Sequence, residues 1–410
     1  MEETSQETLK PANPSPSVVV RARGAERLRG GHSWVYRSDL ADSGDASPGA
    51  LVRVRDQYGR FLGTAFYSSA SQIALRLLSL RSVEPGEQLS ALLRERIASA
   101  VAYRKQMVRD SDAYRLIFSE ADALPGLIAD QYHDLVSLQI LTQGMDRPEV
   151  RETVIAALQQ EVHPAAIIER VDPRVRELEQ LPPAETRLLS GTRTTTVYTM
   201  NGLRFHYDAL GGQKTGAFLD QRENYAAAAH YARGQALDVF CYQGGFALHL
   251  ARAGAQVTAV DSSRPALEAA EQNAGLNSEA LGGSEIEWIE ANAFDLLRDY
   301  ADAGRQYDTI VLDPPPFARS KRTLEAALRG YKELNLRALK MLQPGGILVT
   351  CSCSYRVSES DFQDMLASTA SDAHRRVRIL EKHSQSKDHP VVLSIPETSY
   401  LKCFICYISS

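Results

Sequence analysis

The chain has 410 residues, of which 44% are hydrophobic and 24% charged, and a net charge of −5. That length exceeds one ordinary core, so two or three domains of a soluble globular protein are expected. The acidity argues against a general nucleic-acid coat, no apolar run approaches the roughly 20 residues of a membrane span, and the polar start lacks the apolar core of a signal peptide. Five cysteines, an odd number without an export signal, favour reduced thiols in a cytoplasmic protein over a disulfide framework.

Residues 1–17 are polar and rich in Pro and Ser, and are expected to be disordered. From Val18 the texture changes. Residues 18–81 carry ten arginines, no lysine and five acidic residues, a possible phosphate-contacting footprint or simply a solvated surface. A short strand leads to a Gly-rich turn and the aromatic pair Trp34 and Tyr36. The stretch LVRVRD alternates apolar and basic residues, so Arg53 and Arg55 should lie on the outer face of a half-buried strand. Phe61 to Tyr67 and Ile73 to Leu80 are further strands, and the set suggests a small β-barrel. GGHSWVY and this strand pattern resemble a PUA domain, a small RNA-binding barrel, over residues 18–82.

Residues 83–190 form an α+β middle domain. Helices are expected at Glu84 to Asp110 and Arg147 to Glu161. Strands are expected at Tyr114 to Phe118, on either side of Tyr132 to Asp134, and at Ala165 to Glu169. Glu120, Asp122 and Asp130 are ordinary loop chemistry, and no histidine joins them at a ligand spacing. Pro182-Pro183 and the Ser/Gly/Thr-rich run to Thr196 mark a boundary.

Residues 191–410 alternate strand and helix, the signature of a doubly wound α/β sheet. Strands are placed at Ala236 to Phe240, Gln256 to Val260, Glu285 to Glu290, Thr309 to Leu312 and Ile347 to Thr350. Helices are placed at Tyr225 to Arg233, Phe246 to Ala253, Pro265 to Leu276 and Leu324 to Leu342. In DVFCYQGGF, Asp238 lies on the first strand, and Gly244 and Gly245 would bring backbone close to a ligand at a helix N-terminus. Asp261, at the tip of the next strand, is placed to hydrogen-bond a ribose diol. A dinucleotide site wants three spaced glycines for its pyrophosphate. This turn has a Gly-Gly pair followed by Phe246, which favours S-adenosylmethionine over NAD. Asn292 either contacts the adenine or caps a helix.

Asp313-Pro314-Pro315-Pro316-Phe317 is a rigid, turned-out loop at a strand end, with a carboxylate for a base edge and an aromatic for stacking on a flipped base. Downstream, GGILVTCSCSY is a buried strand carrying Cys351 and Cys353 at its tip. Each is either a small packing residue or, at the carboxyl end of a parallel strand, a nucleophile. Cys403 and Cys406 form a CxxC in an apolar terminal strand. They supply only two of the four ligands a structural metal needs, so no metal is expected. His206, His249 and His383 are scattered and take the ordinary core or surface roles.

KTGAFLDQREN, DVFCYQGGF, VDSS, DPPPF, GYKELN, SCS and the terminal DHPV and PETSYLK together resemble the class I S-adenosylmethionine-dependent RNA methyltransferases of the RlmI type. The resemblance spans almost the whole chain. It implies a Rossmann-like catalytic domain, S-adenosylmethionine as cofactor and methylation of cytosine C5 in 23S ribosomal RNA. It places the nucleophile on Cys353 and a base-edge role on Asp313. Asp238, Gly244, Gly245, Asp261, Asn292, Asp220 and Arg222 would shape the cofactor pocket. Lys214, Pro314, Pro315, Phe317, Arg53 and Arg55 would meet RNA. Two departures stand out: Pro316 occupies a position where the family often has Lys, and Asn292 stands where an acid is usual. Two rival functions remain. One is N-methylation of guanine or adenine without a thiol, and the other is a non-catalytic RNA-binding or assembly protein. A homodimer is a candidate assembly, and no membrane partner is expected.

Overall fold

The computed structural model describes residues 15–211, 216–317 and 324–410. Its N-terminal part is a six-stranded sheet in the order Trp34–Tyr36, Ile73–Ser79, Phe61–Tyr67, Leu51–Asp56, Ser17–Val20, Leu40–Asp42. Period-two alternation in Leu51–Asp56 buries Val52 and Val54 and leaves Arg53 and Arg55 half-exposed. Sequence reasoning missed the helix Ala22–Arg29. Its buried face is only Gly24, Ala25 and Leu28, and arginines fill the rest. Gly24 is small because the helix lies on Val35 and Asp39. A Cβ there would come within 3.2 Å of both side chains.

The arginines of this segment are mostly engaged at home. Arg27 reaches Asp39 at 2.9 Å, Arg29 and Arg60 share Asp56, and Arg37 donates to the carbonyls of Ser68 and Ser71. Arg53 is tied to Glu84, and Arg55 donates to the Gly59 carbonyl at 2.8 Å. The expected free outer-face pair is therefore two anchored side chains with partial exposure.

The middle sheet runs Arg187–Gly191, Ala166–Glu169, Leu135–Ile140, Leu127–Tyr132, Ala113–Phe118. Helices Glu87–Met107 and Pro148–Val162 cover it through Leu93, Ile97, Val101, Val154 and Leu158. Glu120 accepts from Trp34 Nε1 and Arg76, Asp122 from Arg104, and Asp130 from Arg115. Each acid is thus answered by an arginine.

A hairpin, Thr195–Met200 with Leu203–Asp208, occupies part of the stretch read from sequence as a loop boundary. Its signal was present: Asn201-Gly202 sits between alternating apolar runs, and both residues have positive φ, 50° and 78°. The side chains of Asn273 and Asn277 accept the backbone amides of His206 and Arg204, each at 2.8 Å, docking the hairpin on helix Arg264–Leu276.

The large sheet has the order Ile286–Glu290, Gln256–Asp261, Gln235–Val239, Tyr307–Leu312, Leu342–Ser352, Lys402–Ser409, Arg376–His383. The first five strands are parallel and the last two antiparallel. Continuous apolar runs such as Ile310 to Leu312 and Ile347 to Val349 are buried on both faces, as helical cover on both sides requires. Helices Arg222–Tyr231, Gly245–Arg252 and Arg264–Leu276 share one core, and Ala293–Asp302, Leu324–Met341 and Glu359–Asp372 share the other. The strand Arg376–His383 and the helix Glu359–Asp372 were not read from sequence. That strand is mostly exposed and charged, which hides its pattern.

One buried carboxylate ties the middle region to the catalytic sheet. Asp388 accepts from Arg222 at 2.9 Å and from the Arg115 amide at 2.8 Å, and its own carbonyl accepts from the fully buried Arg104. Burial alone would raise its pKa, but His389 and Arg222 hold it well below the usual carboxylate range. The stabilisation is therefore present above the unfolded-state pKa and lost as pH falls. Asp388→Ala should cost about 3 kcal/mol or more in urea unfolding, because it strands a buried guanidinium. The deficit relative to wild type should narrow in acid.

Candidate active site

Four strand ends build the site. The turn after Gln235–Val239 is contorted: Phe240, Tyr242 and Gly244 have φ of 68°, 50° and 83°. Non-glycine residues rarely adopt such angles, and they gather where a site over-determines the backbone. Asp261, ending the next strand, holds the turn open. One oxygen accepts from the Tyr242 amide and the other from the Ser263 amide, both at 2.9 Å. Gly244 caps helix Gly245–Arg252 in the left-handed region. Gly245 lines the cleft that reaches Asp313, and it has a second reason to be small: a Cβ there would meet the Tyr225 ring at 2.4 Å.

Asp238 is fully buried beneath this turn, and neither carboxylate oxygen has a side-chain partner. Burial, then Asp313, and also Asp261, push its pKa well above the ordinary value, against the Ala247 amide. Asp313 follows strand Tyr307–Leu312. Burial and then Asp220 raise it to about 7, while Gln221 opposes by donating Nε2 to its Oδ1 at 2.9 Å. Asn224 fixes that amide by donating to Gln221 Oε1 at 2.6 Å.

Cys353 follows strand Leu342–Ser352. The strand ends one residue earlier, so Cys353 lies in the turn and is half-buried, whereas Cys351 is fully buried opposite Cys403. Cys353 Sγ lies 3.8 Å from the Pro314 carbonyl, in the loop that begins at Asp313. Burial, then Asp313 and Asp220, push its thiol up to about 12, and Lys402 acts the other way. Ser354 is held by Tyr331, hydroxyl to hydroxyl at 2.9 Å, and its carbonyl accepts from Lys402 Nζ at 2.8 Å.

The other expected residues fall as follows. Asp220 accepts from the Tyr400 hydroxyl at 2.7 Å and faces Asp313. Arg222 is buried against Asp388, where it ties elements together and faces no cofactor crevice. Asn292 is a helix cap, its Oδ1 accepting from the Phe294 and Asp295 amides. Pro314 is buried and Pro315 exposed. Phe317 is half-buried on Tyr331 and Phe294, at 4.8 and 6.0 Å between rings. Lys214 lies outside the described residues. Arg53 and Arg55 keep the internal partners described above. Cys403 and Cys406 are buried in strand Lys402–Ser409. His249 is a neutral core histidine, its pKa lowered to about 3 by burial. Sequence reasoning missed Gln221, Tyr331, Tyr400 and Lys402. Their motifs LDQREN, GYKELN and SYLK were noticed without roles.

Asp220, Asp238, Asp261 and Asp313 repel one another at these strand ends. Such a site fits a cationic ligand and rejects a pyrophosphate. S-adenosylmethionine, with its sulfonium and ammonium, fits. Asp261 keeps lone pairs for a ribose hydroxyl, and the aromatics Phe218, Phe240 and Tyr242 line a cleft reaching Asp313.

Residues 18–80 match the PUA-like domain family, and residues 124–398 match the S-adenosylmethionine-dependent methyltransferase family. The chain is 38% identical to Ribosomal RNA large subunit methyltransferase I of Photobacterium profundum, covering 95% of this chain and 99% of that protein. It is also 38% identical to the protein of the same name from Shewanella denitrificans, covering 95% and 97%. A solved putative S-adenosylmethionine-dependent methyltransferase from Streptococcus mutans shares the fold, with a TM-score of 0.80 at 20% identity over 96% of this chain and 100% of that one. Another, a putative methyltransferase complexed with SAH, has a TM-score of 0.81 at 21% identity over the same shares.

A raised carboxylate pKa has a thermodynamic consequence. The folded state binds the Asp313 proton more tightly than the unfolded chain, so this group's contribution is full below pH 3.8 and is lost as pH rises through about 7. Asp313→Asn should therefore raise the melting temperature of the ligand-free protein by a few degrees at pH 8 and little at pH 5, measured by calorimetry.

Proposed function

The chain belongs to the S-adenosylmethionine-dependent methyltransferase family and to the group named Ribosomal RNA large subunit methyltransferase I, and on that premise we propose that it methylates C5 of a cytosine in 23S ribosomal RNA through a covalent Cys353 adduct. The observation that carries this reading is the half-buried thiol of Cys353 against the Pro314 carbonyl, in the loop that begins at Asp313, itself a lining residue of the aromatic cleft. The PUA-like start supports an RNA partner. Among the described residues no helix is long and apolar enough to cross a membrane, and a cytoplasmic setting suits a ribosomal RNA substrate.

Cytosine C5 is a poor nucleophile. The Cys353 thiolate adds to C6, which breaks the 5,6 double bond and makes C5 enamine-like. Asp313, protonated over much of the neutral range, donates to N3 as charge develops there. Bound S-adenosylmethionine supplies the methyl group as an electrophile. Loss of the C5 proton and departure of Cys353 then restore the ring. Asp238, Asp261 and the Phe240–Gly244 turn would hold the cofactor, and Gln221 holds Asp313 in place while Asp220 helps to keep its pKa raised. Asp313 is thereby the base-edge group and Phe317 a wall of the base pocket.

A second reading, transfer to a ring or exocyclic nitrogen without a thiol, draws on the height of the Cys353 pKa, which makes the resting thiol a weak nucleophile. The two readings separate on one variant. Cys353→Ala should lose roughly 10⁴-fold in methyl transfer to 23S ribosomal RNA while keeping S-adenosylmethionine affinity. Bisulfite sequencing of RNA from cells carrying it should lose one protected cytosine. Undiminished transfer would support the nitrogen reading.

A further inference from the structure

Lys402 is a buried cation without a carboxylate partner. Its side chain is 8% exposed, and Nζ donates to the carbonyls of Ser354 at 2.8 Å and Tyr400 at 2.9 Å. Among the described residues it enters no ion pair, unlike the other fully buried cations Arg104, Arg176 and Arg222. A buried ammonium left in this state costs free energy unless an anion joins it. Strand pairing sets where that anion would be. Lys402 is the register partner of Ser352, so its side chain stands at the tip of the strand that delivers Cys353.

We propose that Lys402 is a positioning residue for Cys353: its ammonium is the counter-charge of the thiolate, and its grip on the Ser354 carbonyl fixes the turn that aims the sulfur. This rests on the reading of Cys353 as the nucleophile. Lys402 transfers no proton. The thiol proton leaves to solvent, and the sulfur lone pair then forms the bond to the ring.

The surroundings show why a cation is needed. Among the described residues, the titratable groups that act on Cys353 include Asp313 after strand Tyr307–Leu312, Asp220 in the turn Leu219–Gln221 and Tyr331 on helix Leu324–Met341, and they oppose the thiolate or are neutral. Among those residues the Lys402 cation acts on it in the other direction. Around Lys402 itself stand Cys353, Asp361 and Glu359, which favour its charge, against the burial that lowers it to about 8. Lys382 and His383 share the polar cavity into which Lys402 opens, but Lys382 is paired with Glu359 and His383 with Glu381. The Tyr400 carbonyl that Lys402 holds belongs to the same residue whose hydroxyl restrains Asp220, so one element steadies both the cation and the acid.

The test is the pH profile of Cys353 alkylation by iodoacetamide, without RNA, followed on the Cys353 peptide by mass spectrometry. Lys402→Gln keeps N–H donors for the two carbonyls and removes the charge, and Lys402→Arg keeps the charge. The Gln variant should alkylate about tenfold more slowly at pH 7, where Lys402 is charged, a shift of about one unit in thiol pKa, and the Arg variant should stay within about threefold of wild type. The wild-type profile should also bend downward near pH 8, where Lys402 loses its proton. Asp313, raised to about 7, bends the profile in the same sense, so the bend is read in Asp313→Asn, where that contribution is gone, and it decides the matter even where the Gln variant does not fold. A Gln variant with the wild-type profile and an intact melting transition, or an Asp313→Asn profile with no bend near pH 8, would overturn the proposal. Neither result depends on which atom of RNA is methylated. Failure of the cytosine-C5 reading would appear instead as methyl transfer surviving in Cys353→Ala.

Discussion

The parallel register of two neighbouring strands is the constraint on which the site depends. Leu312 lies opposite Thr350, so the chains leaving Tyr307–Leu312 and Leu342–Ser352 emerge side by side. Asp313 and Cys353 are each within three residues of that pair. Their proximity is therefore set by backbone pairing and by the apolar runs that bury it, before either side chain contributes. A one-residue slip would turn Ile347, Val349 and Cys351 out of their layer and into the opposite one. The antiparallel strand Lys402–Ser409 adds a third element to the same strand tip. Ladder geometry thus gathers an acid, a thiol and a cation from sequence positions nearly ninety residues apart.

Electrostatics gives that gathering its chemical character. Four carboxylates crowd the strand ends, and mutual repulsion with burial raises Asp313 and Asp238. Burial and then the same field raise the Cys353 thiol. A ligand bearing positive charge eases the carboxylate repulsion but leaves the burial that raises Asp313 and the thiol first of all.

Much of this organisation was legible in the chain. The alternation of apolar strands and amphipathic helices placed four of the five parallel strands to within about two residues, because buried runs such as Ile310 to Leu312 have few alternatives, whereas the fifth, expected from Ile347, starts five residues earlier at Leu342. Asp313 before three prolines and the Cys-Ser-Cys tip were visible because each sits at the end of such a run. What escaped was set by tertiary partners. Gly245 read as a ligand-facing glycine and does line the cleft, but its second constraint, Tyr225 from a helix twenty residues earlier, carries no local signal. Arg222 looked like a cofactor contact, but its partner Asp388 lies 166 positions away. Arg53 and Arg55 alternate as solvent-facing residues should, yet Glu84 and a turn carbonyl hold them. Lys402 sits in the noticed stretch PETSYLK, but its place beside Ser352 follows only from the strand it pairs with.

The central claim is a transient bond between sulfur and a pyrimidine carbon. It is tested most directly with a 23S ribosomal RNA transcript containing 5-fluorocytosine, incubated with the protein and S-adenosylmethionine. Fluorine at C5 cannot leave as a proton does, so an adduct formed through C6 cannot eliminate. The account expects a denaturation-stable protein–RNA complex whose digest carries the nucleotide on Cys353. Methylation of unsubstituted transcript in parallel, with no stable complex from the fluorinated one or with the nucleotide on another residue, would contradict it.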